Sequence, residues 1–515
     1  MKALLMYSDG DFEFPGSAPW NEQELVQDLA LETLLRAMAG NGEDKLLYQV
    51  SRTALLSGCE EPGEVLYRQA VLRDCLRYPD IVRTLYRLTG EALAKERKNY
   101  WGALRHPASI LHRSIDVLFM LVETLRQLRA IADTQANIFS SDGFRRLFSM
   151  LQRELGDDYF DTIDDHLKKL KFRRGVLISA CLGEDNRGED YTLCTPHAPP
   201  HRWLKHVFGK KLPSFSFTLN PRDESGARAL SELSGRGLNL VANALAQSTE
   251  HILNFLTTVH TELAFYVSCL NLHERLTGKG EPVSFPQPSV VGGHELSFRG
   301  LYDVCLTLNI PQRAIGNDLD ACGKALFVIT GANQGGKSTF LRSIGLAQLM
   351  MACGLFVPAK FYAANLCRGL YTHCKREEDS GMNSGKLDEE LARMSAIVDH
   401  IQPDALILFN ESFAATNERE GSEIAGQITR ALLAHRVKVF TVSHLYEFAR
   451  ALYEEHRPDA LFLRAHREED GQRTFRLEQA APLATSHGKD LYERIFAVER
   501  HDVEIRDIAR RRERH

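Results

Sequence analysis

The sequence predicts an α/β phosphate-loop domain preceded by a mainly α-helical half with a small β-containing insert, and three observations lead there. The stretch Gly331-Ala332-Asn333-Gln334-Gly335-Gly336-Lys337-Ser338-Thr339 fits G-x-x-x-x-G-K-[ST], a pattern in which backbone N–H groups cradle phosphates. Its flanks have the matching form. Ala325-Leu326-Phe327-Val328-Ile329 is a short apolar run of the kind found in buried parallel strands, and Phe340 to Met351 is proline-free and rich in Leu, Ile, Ala and Met, which predicts a helix. Far upstream, Ser231 to about Leu276 also lacks proline, and its apolar positions Leu245, Ile252, Leu256, Val259, Leu263, Tyr266 and Leu270 recur by three, four and seven. That pattern predicts one long amphipathic helix, roughly 65–70 Å at 1.5 Å per residue.

A chain of 515 residues exceeds what one core supports, so several domains are expected. The divisions predicted are 1–172, a helical core; 173–222, the insert; 223–289, the long helix and a linker with Pro282, Pro286 and Pro288; and 290–515, the α/β domain with C-terminal helices. Residues 1 to about 20 read as a short strand-like lead. From Asn21 to roughly Lys171 helices dominate, their ends marked by Gly40, Gly42, Pro62-Gly63, Pro79 and Pro107. The composition, 44% apolar and 25% charged, excludes the disordered class. With a net charge of −5, any nucleic-acid contact must come from a local basic face. The ten cysteines include no C-x-x-C pair, which supports neither a zinc site nor a disulfide framework and suits a reducing cytoplasm. The start, Met1 to Asp9, turns acidic before a signal-peptide core forms, and no run of about 18 apolar residues occurs, so no membrane span is predicted.

Within 173–222, Val176 to Cys181 and Phe215 to Leu219 read as strands separated by Gly-, Asp-, Asn- and Pro-rich loops. This region gathers the positive charge that the whole chain lacks. Lys168, Lys169, Lys171, Arg173 and Arg174 lead into it, and Arg202, Lys205, Lys210 and Lys211 lie inside it, interleaved with Trp203 and Phe208. Basic side chains track phosphates and aromatics stack or anchor, so these residues are the candidate DNA contact; a solvated charged face over packed aromatics is the competing reading.

In the second half strands and helices alternate, as in an α/β domain with a largely parallel sheet. Pro403 to Phe409 leads an apolar strand into Asn410-Glu411, and Val437 to Ser443 ends a further strand at His444. Both positions fall at carboxyl ends of strands, where open α/β sheets contact ligands. ATP hydrolysis needs charge neutralisation, a metal, and a group that orients or deprotonates water. Lys337 is suited to reach the β- and γ-phosphates, and Ser338 to offer its hydroxyl to Mg²⁺. Glu411 has the charge and reach of a general base. Asn410 keeps an oxygen for a metal-bound water but lacks an acid's negative charge, which predicts weaker Mg²⁺ affinity or slower turnover. His444 can sense a γ-phosphate by hydrogen bond. Alone, a histidine at a strand end is a surface or capping residue; its distance downstream of Asn410-Glu411 selects the functional reading.

With these motifs in order, the sequence resembles the MutS-type DNA mismatch-repair ATPases. The loop GANQGGKST looks like that family's glycine loop, and Gly354-Leu355-Phe356-Val357-Pro358-Ala359 resembles its G-x-F-V-P-A ending. Ile315-Gly316-Asn317-Asp318 looks like the segment lining the adenine pocket, residues 406–425 resemble the Walker B strand and the dimer-contacting loop after it, and Thr441-Val442-Ser443-His444 looks like the A-T-H switch. The likeness covers 290–490 through these motifs, which occur in the family's order. Across 20–290 it rests on a helical core, a long lever helix, and an insert at 173–222 where the family has a clamp. The resemblance implies an ABC-type P-loop ATPase domain with ATP and Mg²⁺ as cofactors, nucleotide contacts from the glycine loop and Ile315, metal contacts from Ser338 and Asn410, and catalysis through Glu411 and His444. It also implies that two such domains pair, each completing the partner's site from Ser380 to Leu387, with Ser384 as the contact to the γ-phosphate.

Three departures matter. Asn410 stands where the family's Walker B strand has Asp. The mismatch-reading domain is expected to be absent, since the helical core starts near residue 21, and the family's Phe-x-Glu wedge occurs only as Phe409-Asn410-Glu411, inside the ATPase strand. No nuclease tail is apparent; Arg506 to His515 reads as a mixed-charge helix. The expectation is a cytoplasmic homodimer that couples ATP binding and hydrolysis to DNA-embracing arms and takes a branched or structured duplex rather than a single mismatch. The rival from another class is a nucleotide-gated clamp or interaction protein with negligible hydrolysis. A P-loop small-molecule kinase is disfavoured, because no acceptor lid is visible and the long helix has no role there.

Overall fold

A computed structural model describes residues 1–16, 19–40, 44–98, 107–172, 175–183, 188–194, 215–376, 385–468 and 473–483. The chain divides into two compact units, Met1–Leu5 with Asp80–Leu263, and Met6–Pro79 with Ala264–His515. The strand-like lead does not form: before α1 (Glu22–Asp28) there is no strand among the described residues, and the Leu5 N–H donates instead to the Glu262 carboxylate at 2.6 Å.

Helices α2 (Leu31–Ala39), α3 (Lys45–Leu56) and α4 (Pro62–Arg77) follow, then α5 (Pro79–Lys98), α6 (Pro107–Gln135), α7 (Asp142–Glu154) and α8 (Asp157–Leu170). Pro62, Pro79 and Pro107 each open a helix, where the missing N–H removes no hydrogen bond and the fixed φ is already helical. In α6 the buried Leu111, Ile115, Leu118, Val122 and Leu125 step by three and four, so one face packs while the other stays wet.

Strand β1 (Leu177–Leu182) pairs antiparallel with β2 (Gly188–Cys194), from Leu177 opposite Cys194 to Leu182 opposite Gly188. The expected strand at Phe215–Leu219 is not one. Its alternation of apolar and polar residues suits a strand, but it is irregular backbone, and Phe215 and Phe217 are 94% and 79% exposed. Helix α9 (Glu224–Gly278) is a single 55-residue element, starting before the predicted Ser231 and reaching about 80 Å at helical rise.

The rest of the second unit is built from β3 (Gln287–Ser289), β4 (Leu296–Leu301), α10 (Val304–Asn309), β5 (Asn317–Asp320), β6 (Leu326–Thr330), α11 (Lys337–Ala352), β7 (Phe361–Asn365), β8 (Leu370–Cys374), α12 (Lys386–His400), β9 (Leu406–Asn410), α13 (Glu418–Ala434), β10 (Lys438–Val442), α14 (Tyr446–Glu454), β11 (Ala460–Arg467) and β12 (Arg473–Gln479). Six strands form the main sheet in the order β12-β11-β6-β10-β9-β8, parallel throughout except for β12. Every residue of β6 is buried, which explains why it reads as an unbroken apolar run. Phe327 on β6 stacks on Phe440 of β10 at 3.9 Å, one of several aromatic contacts that lock neighbouring strands. A second, mixed sheet, β3-β7-β4-β5, has no precedent in the sequence reading.

Asn410 pairs with Val442 on one side and Cys374 on the other, so it closes β9 in register with the ends of its neighbours. All ten cysteines are free, and the described residues hold no His, Cys, Asp and Glu cluster suited to a metal. No helix among them is long and apolar enough to cross a membrane.

Candidate functional site

Between β6 and α11 the chain makes a loop that only particular residues can follow. Gly331 has φ +112, and a Cβ there would come within 2.9 Å of the Ala465 amide nitrogen. Gly336, the N-cap of α11, has φ +90. Both positions lie in the left-handed region that glycine enters without strain. Gln334 enters it as well, at φ +57. The first turn of α11 therefore opens at a glycine, and the unpaired N–H groups of a helix N-terminus attract anions.

Lys337 is buried, and its Nζ donates to the Gly331 and Ala332 carbonyls, each at 2.9 Å. Burial pushes its ammonium down from the ordinary lysine range, while the Glu411 charge acts the other way. An ammonium satisfied by two carbonyls of its own loop is free to be drawn to an incoming anion. Beside it lies a cavity of about 390 Å³, lined by Asn333 through Thr339, Ile315, Glu411, Tyr302, Arg313 and Phe475. Of the predicted loop residues, Gly331 and Ala332 do not line this cavity; they hold Lys337 from behind.

The ends of β9 and β10 complete the arrangement. Ser338 Oγ donates to Asn410 Oδ1 at 2.9 Å. His444 Nε2 lies 2.8 Å from Glu411 Oε1, and this hydrogen bond, first among its influences, holds the Glu411 carboxyl below the usual glutamate range against the burial that would raise it. Lys337 and Lys375 add to the same effect. The Glu411 N–H donates to the Val442 carbonyl at 2.8 Å, which ties β9 to β10 just where the Glu411 side chain emerges. Chemically, the set offers a recruitable ammonium, a hydroxyl and an amide oxygen facing one another, and a charged carboxylate oriented by an imidazole.

Deeper in the same region, His373 on β8 is fully buried, and burial pushes its imidazole down from 6.5 to about 4. The unfolded chain takes up a proton below pH 6.5 and the folded one only near 4. The stability due to the neutral ring is thus complete above pH 6.5 and lost as pH falls towards 4. Between pH 7 and 5 the wild type is expected to lose about 1–2 kcal/mol more than His373→Asn, measured by urea denaturation at both pH values. Equal losses would contradict the burial of a neutral ring.

Sequence reasoning missed the contribution of β12. Arg473 Nη1 donates to Gln334 Oε1 at 2.6 Å, Phe475 flanks the cavity, and Asn317 bonds the Phe475 carbonyl and the Leu477 N–H at 3.4 and 2.8 Å. These contacts join residues more than a hundred positions apart, and nothing local in the chain announces them. Ser384 lies outside the described residues, as do Arg173, Arg174, Arg202, Lys205, Lys210 and Lys211. Lys168 and Lys169 are exposed in the last turn of α8, where cations also favour the helix dipole, and Lys169 pairs with Asp165. Lys171 Nζ sits over the half-exposed Phe119 ring at 5.1 Å.

Residues 60–279 match the family model described as the MutS2 N-terminal domain, and residues 327–491 match MutS domain V. The chain is 34% identical over 145 residues to a DNA mismatch repair protein MutS from Leptospira interrogans, covering 27% of this chain and 17% of that one. It is 30% identical over 133 residues to MutS protein homolog 4 from Homo sapiens, 25% of this chain and 14% of the relative. With an Endonuclease MutS2 from Lactobacillus helveticus it shares 25% identity over 239 residues, 45% of this chain and 30% of the relative. The matched stretches thus span less than a third of each of these relatives.

Proposed function

Because the chain belongs to the MutS family, we propose that it is a Mg²⁺-dependent ATPase that couples nucleotide binding and hydrolysis to binding of branched or structured DNA, acting as a homodimer through its ATPase domains. The observation that supports this most is the meeting of Lys337, Ser338, Asn410, Glu411 and His444 at one end of a parallel sheet, beside a cavity of about 390 Å³. In this reading 290–515 is an ABC-type P-loop domain, 1–172 a helical core, 173–222 a clamp-like insert and 223–289 a lever helix and linker.

The residues fit the nucleotide and metal. Gly331 and Gly336 give the backbone the form that close approach to phosphate needs, and Lys337 leaves its two carbonyls for the phosphates. Ser338 and Asn410, already oxygen to oxygen, are the residues that would hold Mg²⁺, which when bound would supply charge neutralisation and a template for the phosphates. Glu411 takes a proton from the attacking water, with His444 fixing the orientation of its carboxylate. Ile315 and Arg313, which line the same cavity, would enclose the base. In the dimer, the segment from Ser380 to Leu387, with Ser384, reaches the partner's site. Just after β8, the Lys375 N–H bonds the Asn410 carbonyl at 2.9 Å.

DNA contact falls to Lys168, Lys169, Lys171 and the basic residues of the insert. The test is binding of a four-way junction and a linear duplex of equal length at stepped salt. Tighter binding of the junction, weakening as salt rises, is expected; a triple Lys168, Lys169, Lys171→Gln variant should lower the salt slope by about 2–3. Failure to bind any duplex, fork or junction at low salt would contradict the DNA part of the reading.

One observation favours the second reading, a nucleotide-gated clamp with negligible hydrolysis. Asn410 contributes a neutral oxygen where a metal site gains from a carboxylate. The two readings part on Asn410→Asp. A weakened enzyme gains about tenfold in Mg²⁺ affinity and a comparable rise in turnover at limiting Mg²⁺, whereas a clamp gains metal affinity and no turnover.

A further inference from the structure

The turn that carries Glu411 is held by a buried hydrogen-bond unit to which the chemistry above assigns no role. Glu411 and Phe413 both sit in the left-handed region, at φ +55 and +61, a conformation that side chains disfavour and that surrounding structure must impose. Between them, Ser412 Oγ donates to the His373 carbonyl at 2.6 Å and lies 2.7 Å from His373 Nδ1. His373 Nε2 lies 3.0 Å from the Glu390 carbonyl on α12, and the ring stacks on Phe413 at 5.2 Å with planes 19° apart. Both residues are buried, and neither lines the cavity.

Proton counting fixes the roles. The unit makes three contacts, but a neutral ring brings one N–H and the serine one O–H. The Glu390 carbonyl can only accept, so Nε2 carries the ring proton. Nδ1 is then an acceptor, and the Ser412 hydroxyl is shared between it and the His373 carbonyl. Ser412 is thereby gripped from the ring and the backbone of one residue, and its own backbone is continuous with Glu411.

We propose that His373 and Ser412 are a positioning pair for Glu411: they hold the 411–413 turn so that the carboxylate meets His444, and through the Glu390 carbonyl they fasten that turn to α12. This rests on the reading of Glu411 as the general base. Neither residue touches the reacting atoms.

Two histidine substitutions separate the arms. The amide of His373→Asn falls near Nδ1, so it keeps the contact with Ser412 and gives up Glu390; His373→Gln does the reverse. Ser412→Ala removes the hydroxyl. The primary readout is the NMR signal of the His444 ring in histidine-labelled full-length protein, which responds to its hydrogen bond with Glu411. The signal should move in Ser412→Ala and His373→Gln and stay in place in His373→Asn. In the same two variants kcat for ATP, counted per ATP-binding site titrated in each preparation so that loss of folded protein does not enter, should fall about tenfold with KM changed less than about twofold. An unmoved His444 signal in Ser412→Ala overturns the proposal, and so do equal effects of the two His373 variants. Should wild-type turnover prove indifferent to Glu411→Gln, the general-base reading fails, and the His444 signal alone still decides the positioning.

Discussion

In Lys337→Ala, ATP affinity is expected to fall by about a hundredfold or more, and turnover to disappear with it. The size follows from what the side chain contributes. Hydrogen bonds to a charged group are worth about 1.5–3 kcal/mol each, and about 1.4 kcal/mol is tenfold in affinity, so losing one or two contacts to phosphate spans that range. The ammonium is buried and already partly desolvated, so its interaction with an anion is less screened than that of a surface lysine. Its removal leaves the Gly331 and Ala332 carbonyls without this donor, which also loosens the loop. Lys337→Met, which retains the apolar stem, separates the two effects: equal loss of affinity in both variants identifies the charge as the cause. Isothermal titration with ATP and Mg²⁺ is the measurement, and affinity within about threefold of wild type would remove Lys337 from the phosphate site.

Glu411→Gln is expected to leave ATP affinity nearly unchanged and to lower turnover by about 10²–10⁴-fold, the usual contribution of a positioned general base. Glutamine can still accept the hydrogen bond from His444, so the geometry is kept while the basic charge is lost. The low-lying carboxyl pKa works in the same direction, keeping wild-type Glu411 ionised at neutral pH. Single-turnover measurements with saturating ATP isolate the chemical step from binding. Turnover within a few-fold of wild type would move the base to another group, whereas a wild type as slow as the variant would select the nucleotide-gated clamp.

What the sequence disclosed follows from how local each signal was. Leu326–Thr330, Leu406–Asn410 and Lys438–Val442 are read correctly because strands buried on both faces must be apolar throughout, and the glycine loop is legible because its backbone admits few residues. The long helix is legible because proline is missing and the period holds, although its first turns, from Glu224, are largely exposed and so carry no buried apolar stripe. The failures share one cause, dependence on a partner distant in sequence. Phe215–Leu219 alternates like a strand but forms none in the described structure, whereas β2, Gly188–Cys194, has no regular alternation and is a strand because β1 pairs with it. Phe475 and Arg473 reach the glycine loop only because β12 pairs with β11, itself beside β6. Likewise Ser412 reads as one more small residue after Glu411 until β8 brings His373 beside it. Ser384 and most of the basic residues lie outside the described residues, so Ser384 stands on the family likeness and the insert's cations on their charge pattern alone.

The most direct test of the central claim is steady-state ATP turnover with Mg²⁺, wild type beside Lys337→Ala, with no DNA, linear duplex and a four-way junction. The predicted result is turnover that vanishes in Lys337→Ala and changes in wild type when the junction is added. Turnover that persists in Lys337→Ala, or a wild type that neither binds nor hydrolyses ATP, would contradict it.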